Sequence, residues 1–180
     1  MKSCWAILIV VLLAGCGFEP LYVQRDKTGD WYFGGKTDTS ITTEMAQIKV
    51  DPVANRFGQM IRNSLLDLLT PRGTPKNPKY RLEVKLLNRS VVQQAMRRDI
   101  TATNERITYK MGYQLFEGNR MLLSGDSVAY VSYDIMANPY STTTAQKKTD
   151  ADAAKILAND IALRIGAYFH AQKKNEVAKQ

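Results

Sequence analysis

Ile107-Thr108-Tyr109-Lys110-Met111-Gly112-Tyr113-Gln114-Leu115 is the stretch that decides the fold. Apolar residues hold every odd position, and polar residues or glycine hold the even ones. This period of two sends alternate side chains to opposite faces of a sheet, one buried and one wet. At Glu117-Gly118-Asn119, Gly118 or Asn119 is free to take positive φ and turn the chain into a hairpin. Met121 to Asp134 then reads as the returning strand, with Val128 and Tyr130 among its apolar positions. Upstream, Tyr80, Leu82, Val84 and Leu86 alternate with Arg81, Glu83 and Lys85 and predict the preceding strand. Strands this long exceed the usual five or six residues. Their distal ends are therefore expected to project beyond any helix layer and to offer edge and face to a partner.

Working outward, the period changes. Val53, Phe57, Met60, Ile61, Leu65 and Leu68 recur at three and four, which predicts a helix with one apolar face. Asp51 reads as its N-cap, with Pro52 at the first helical position. The stretch Thr70-Pro71-Arg72-Gly73-Thr74-Pro75 ends it. A short strand, Ala46, Ile48 and Val50 against Gln47 and Lys49, precedes it. From about Ser141, Ala154, Leu157, Ala158, Ile161, Ile165 and Tyr168 form the stripe of a last helix that frays after Ala171. The first strand–helix–strand unit should be a right-handed crossover with parallel strands, and the rest antiparallel hairpins. The expected fold class is α+β: a two-layer sandwich of a four-stranded mixed sheet, β-α-β-β-β-α, with two amphipathic helices on one face. Residues 44–171 would form this domain. Residues 16–43, which carry Trp31-Tyr32-Phe33 and no periodicity, read as a tether and turn-rich loop, and 172–180 as a polar tail.

The N-terminus narrows the setting. An apolar run from Trp5 to Leu13 follows Lys2 and ends in Leu13-Ala14-Gly15-Cys16. It is too short to span a bilayer, which takes about 20 residues, but it fits the apolar region of a signal peptide. Small residues before a cysteine resemble a bacterial lipobox, so residues 1–15 are read as a lipoprotein signal and Cys16 as the lipidated residue. A diacylglycerol thioether plus an N-acyl chain is enough for stable anchoring. By resemblance to lipoprotein sorting, Gly17 in place of Asp favours the outer membrane, facing the periplasm. Cys4 leaves with the signal, so no intramolecular disulfide is expected.

The 180 residues carry 25 Lys plus Arg against 17 Asp plus Glu, a net charge of +8. In that compartment the excess points to an anionic lipid or glycolipid rather than to nucleic acid. With two cysteines and one histidine, a Cys-Cys-His-His zinc site is impossible. There is no phosphate-binding Gly loop or Gly-x-Ser-x-Gly elbow, so neither metal, cofactor nor enzyme activity is expected. His170 reads as a helix-end surface residue, and Asp150 and Asp152 as a solvated face. Arg89, Arg97, Arg98, Arg106 and Lys110 gather around the connection of the second and third strands, with Lys147 and Lys148 in the first turns of the last helix. They form either a lipid-phosphate cluster or solvated charge that guards a strand edge.

Cys16-Gly17-Phe18-Glu19-Pro20-Leu21-Tyr22 resembles the Cys-Gly-Phe-x-Pro-Leu-Tyr start of the lipopolysaccharide-assembly lipoprotein family LptE in its alphaproteobacterial form. Arg56-Phe57-Gly58-Gln59-Met60-Ile61-Arg62-Asn63-Ser64-Leu65 is similar to that family's Arg-x-Gly-Gln-x-Leu-Arg-Asn-x-Leu. Ser132-Tyr133-Asp134, Pro139-Tyr140 and Asp152-Ala153-Ala154 follow in its order. The resemblance implies a non-enzymatic protein that plugs the outer-membrane β-barrel LptD, assists its folding and contacts lipopolysaccharide. It also implies lipid contacts at Arg97, Arg98, Lys147 and Lys148. Two other classes fit a lipoprotein of this size: an auxiliary protein of phospholipid transport, and an activator of a cell-wall synthase.

Overall fold

The computed structural model describes residues 39–96 and 102–177. Its elements are α1 (Thr39–Met45), β1 (Ile48–Val50), α2 (Asn55–Leu69), β2 (Tyr80–Met96), β3 (Ala102–Glu117), β4 (Arg120–Asp134) and α3 (Pro139–Val177). The four strands lie side by side in the order β1-β2-β3-β4. β1 runs parallel to β2, as the crossover requires, and the other two pairings are antiparallel. The α+β fold with a mixed four-stranded sheet is thus present.

The alternation of β3 settles which face is covered. Ile107, Tyr109, Met111, Tyr113 and Leu115 are buried, and they meet Ile61 and Leu65 of α2 and Leu157, Ile161 and Ile165 of α3 in one core. On the far side, Arg106, Thr108, Lys110 and Gln114 look away from the helices. The β3–β4 turn forms at Gly118, whose φ is +57°. Gly125 lies opposite Tyr113, and a Cβ there would sit 2.7 Å from the Tyr113 hydroxyl, so the glycine lets the ring lie across the strand.

Several boundaries differ from the expectation. The loop predicted up to Thr43 contains α1, whose Ile41 is buried in the core. Glu44 of α1 accepts hydrogen bonds from Tyr80 Oη (2.8 Å) and Lys79 Nζ (3.3 Å), which ties the helix to the start of β2. Asp51 is not the cap of α2. It stays in the sheet, its N–H donating to Leu82 O, and its carboxylate pairs with Arg81. Asn55 takes that role from a left-handed backbone (φ 65°), its Oδ1 accepting the Gly58 N–H at 2.9 Å. Leu69 is in the core in place of Leu68, since the row that faces the sheet is Ile61, Leu65 and Leu69, spaced by four.

The last helix starts at Pro139, with Asn138 Oδ1 accepting the Tyr140 N–H at 2.9 Å. Asn-Pro therefore ends the strand and opens the helix at once, Asn capping and Pro filling the position that needs no donor. The helix runs unbroken to Val177, with Phe169 rather than Tyr168 buried.

Candidate functional site

Burial along β2 locates the exposed end of the molecule. Tyr80, Leu82 and Val84 are in the core, whereas Asn88 to Gln93 are exposed throughout. The projection anticipated for long strands is therefore real for β2. On β3 and β4 the same end stays covered, with Ile107, Ala129 and Tyr133 buried. At the level of Tyr109, Phe57 from the start of α2 and Asp150 from the fourth turn of α3 both meet the sheet.

Met96 pairs with Ala102, and Asn104 with Asp134. The β2–β3 connection and the segment entering α3 therefore leave the same end of the sheet. Arg97 and Arg98 lie outside the described residues, as does Cys16. Lys147 and Lys148 are exposed, but they sit in the third turn of α3, because that helix begins at Pro139. The dipole acts only within the first turn, so it does not disfavour these lysines. Lys147 is one turn before Asp150, on the same side of the helix.

The remaining cations divide between the two faces. Arg106 and Lys110 are on the outer face, where Lys110 is held by Asp126 at 2.8 Å. Arg89 is on the helix side. Its Nε donates to Tyr109 Oη at 3.1 Å, and Tyr109 Oη donates to Asp150 Oδ1 at 2.6 Å. Asp150 is therefore not on a solvated face, whereas Asp152 is exposed. Phe57 stacks on the Tyr109 ring with centroids 4.0 Å apart and 14° between the planes. The bond to Tyr109 Oη holds the Arg89 guanidinium more firmly protonated than usual, and burial pushes the Tyr109 phenol up. Beside it, burial and a hydrogen bond to Glu105 push the Tyr133 phenol up to about 12.

A recess of about 270 Å³ opens between the start of α2 and this network, lined by Arg56, Phe57, Leu86, Arg89, Tyr109 and Asp150 among others. Arg56 is not among the cations that the sequence singles out. One local signal existed, since Arg56 is in the first helical turn, where cations are disfavoured and no acid is present. His170 lies two turns before the end of α3 and is half-buried, so it is not at a helix terminus.

The outer face is partly apolar. Tyr130 is 70% exposed, Val92 52% and Leu87 50%, with Val128 on the same face. A concavity of about 830 Å³ crosses it, bordered by Leu87, Gly112, Gln114, Ser124 and Asp126. Among the described residues, no group of His, Cys, Asp and Glu could hold a metal, and no helix is long and apolar enough to cross a membrane.

Solved structures share this architecture. A putative lipoprotein from Caulobacter crescentus superposes with a TM-score of 0.61 at 20% identity, covering 74% of this chain and 97% of its own. A minor lipoprotein from Acinetobacter baumannii gives 0.50 at 16% identity, covering 67% of this chain and 90% of its own. At these identities the likeness concerns the fold. No curated protein matches the sequence. The sequence profile of the family described as LptE, lipopolysaccharide-assembly, matches residues 45–165, from the end of α1 into α3 and through every strand. The chain belongs to the LptE lipopolysaccharide-assembly family.

Proposed function

We propose that this protein is a non-enzymatic lipoprotein, anchored through Cys16 in the outer membrane, that plugs an LptD-type β-barrel, assists its assembly and helps deliver lipopolysaccharide to the cell surface. The observation that carries the reading is the outer sheet face. Leu87, Val92, Val128 and Tyr130 stand exposed among Arg106, Thr108 and Ser132, an apolar and polar mixture. Such a surface suits a wall that is itself polar, like the lumen of an outer-membrane barrel. The lipid contact falls to Arg97, Arg98, Lys147 and Lys148. The two arginines can each fork onto one phosphate, and the lysines add compact charge.

Mild-detergent purification from outer membranes tests this. The expected companion is one large, heat-modifiable barrel, retained stoichiometrically. Recovery of a phospholipid transporter or a cell-wall synthase in its place would assign the protein to another class. The anchor is tested separately: Cys16→Ser should leave unprocessed precursor, and a product of mature size would contradict lipidation.

A further inference from the structure

β1 pairs with β2 only from Tyr80 to Leu82. The Asp51 N–H donates to Leu82 O, and Pro52, having no N–H, ends the ladder. β2 nevertheless continues to Met96 with β3 on its other side. From Glu83 onward, one edge of β2 has no strand beside it among the described residues, so its N–H and C=O groups there lack a ladder partner. Free edges of this length are normally blunted by lysine, proline, bulges or inward charge. Here the shift between Leu86 and Asn88 is the single irregularity of β2. Beyond it the sole charge is Arg89, which is drawn back to Tyr109.

The edge is flanked by a recess on each face. On the helix side lies the 270 Å³ recess with Arg56 and Arg89, and on the outer side the 830 Å³ concavity, whose lining runs from Asp51 and Glu83 past Lys85 and Leu87. An added strand points its side chains alternately to the two faces, so both recesses would receive them. The stretch Lys85 to Met96 holds two cations and no acid. Edge-to-edge pairing with a second copy would set those cations against each other. In the helix-side recess Asp150 is engaged by Tyr109 Oη, which leaves Arg56 and Arg89 as the larger charge. The complement on the helix side is an acidic side chain, whereas the outer recess, with Asp51, Glu83 and Asp126, suits a neutral one.

We propose that the edge of β2 from Lys85 to Gln94 is a strand-addition site for an extended segment of another protein, carrying an acidic side chain that enters between Arg56 and Arg89. This does not depend on a barrel being that protein.

The probe is a synthetic ten-residue peptide of alternating Val and Thr with one central Glu, titrated against the purified protein. Three companions are used: a Gln replacement, and two peptides N-methylated at alternate amides in the two registers. The parent should bind. One N-methylated register should lose about tenfold or more, because the amides facing β2 can no longer donate, while the other register keeps its affinity. The Gln peptide, and the parent against Arg56→Ala, should each weaken several-fold. Arg56 is exposed, so its loss leaves the melting temperature unchanged. Absence of parent binding would overturn the proposal, as would equal binding of both N-methylated peptides or equal binding of the Gln peptide. So would inorganic phosphate binding that is lost in Arg56→Ala while peptide binding persists, because the recess would then serve phosphate.

Discussion

The hydroxyl of Tyr109 donates to Asp150 at 2.6 Å across 41 residues of sequence, joining β3 to the fourth turn of the long helix. Arg89 donates to the same oxygen from the neighbouring strand, and Phe57 covers the ring. A single phenol thus fixes α2, α3 and the projecting half of β2 relative to one another.

Tyr109→Phe keeps the ring and its stacking but leaves Asp150 and Arg89 without their shared partner. The expected loss is about 1–3 kcal/mol, read as a fall of several degrees in Tm. Asp150→Ala should cost a similar amount. The double variant should cost less than the sum, because both changes break one bond. Strict additivity would show that the contact contributes nothing.

Alkaline pH should act through Tyr133. Its phenol is raised from 10.0 to about 12 by burial and by Glu105. A raised pKa means that the folded state holds the proton where the unfolded chain has released it. Stability from this group is complete below about pH 10 and declines as pH rises towards 12. Tyr133→Phe cannot titrate, so its melting temperature should fall less steeply across that window. Parallel profiles would contradict the assignment.

Gly58 shows how packing overrides helix propensity. Alanine is ordinarily better in a helix by about 1 kcal/mol. A Cβ here, however, would run into Val53 Cγ1 and lie 2.9 Å from Val53 Cβ. Gly58→Ala should therefore destabilise by roughly 1–3 kcal/mol, as overpacking does. Adding Val53→Ala should recover part of that loss. Stabilisation by Gly58→Ala alone would refute the contact.

The strands were legible because alternation is a local signal. Ile107 to Leu115 names its buried face residue by residue, and the crossover rule then makes β1 parallel to β2. Helix starts were less legible. Asn55 caps α2 from a left-handed backbone, and no local pattern distinguishes it from Asp51. Helix α1 consists of Thr-Ser-Ile-Thr-Thr-Glu-Met, five weaker formers before two good ones, held by Ile41 in the core and Glu44 on Tyr80, both tertiary contacts. The candidate site suffered most. Asp150 looks like a solvated helix residue until the strand carrying Tyr109 is folded against it, and Arg56, though exposed, lines the recess beside it. Cys16, Arg97 and Arg98 rest on sequence alone.

Lipopolysaccharide binding should follow charge at one end of the sheet. Replacing Arg97, Arg98, Lys147 and Lys148 together by Glu should weaken binding about a hundredfold, since roughly 3 kcal/mol exceeds two decades. Lys147 and Lys148 are exposed, so the melting curve should hardly move. Unchanged binding would reject the site, and a collapsed melting temperature would make these residues structural.

The most direct measurement is photo-crosslinking in intact cells from the outer sheet face. Crosslinking residues placed singly at Val92, Tyr130 and Gly118 should each trap the same heat-modifiable outer-membrane barrel, because these positions sample the sheet face and the hairpin turn at its other end. A control at Ala158, on the buried face of α3, should trap nothing. Crosslinks confined to soluble periplasmic proteins, with no barrel adduct from any of the three positions, would contradict the plug account.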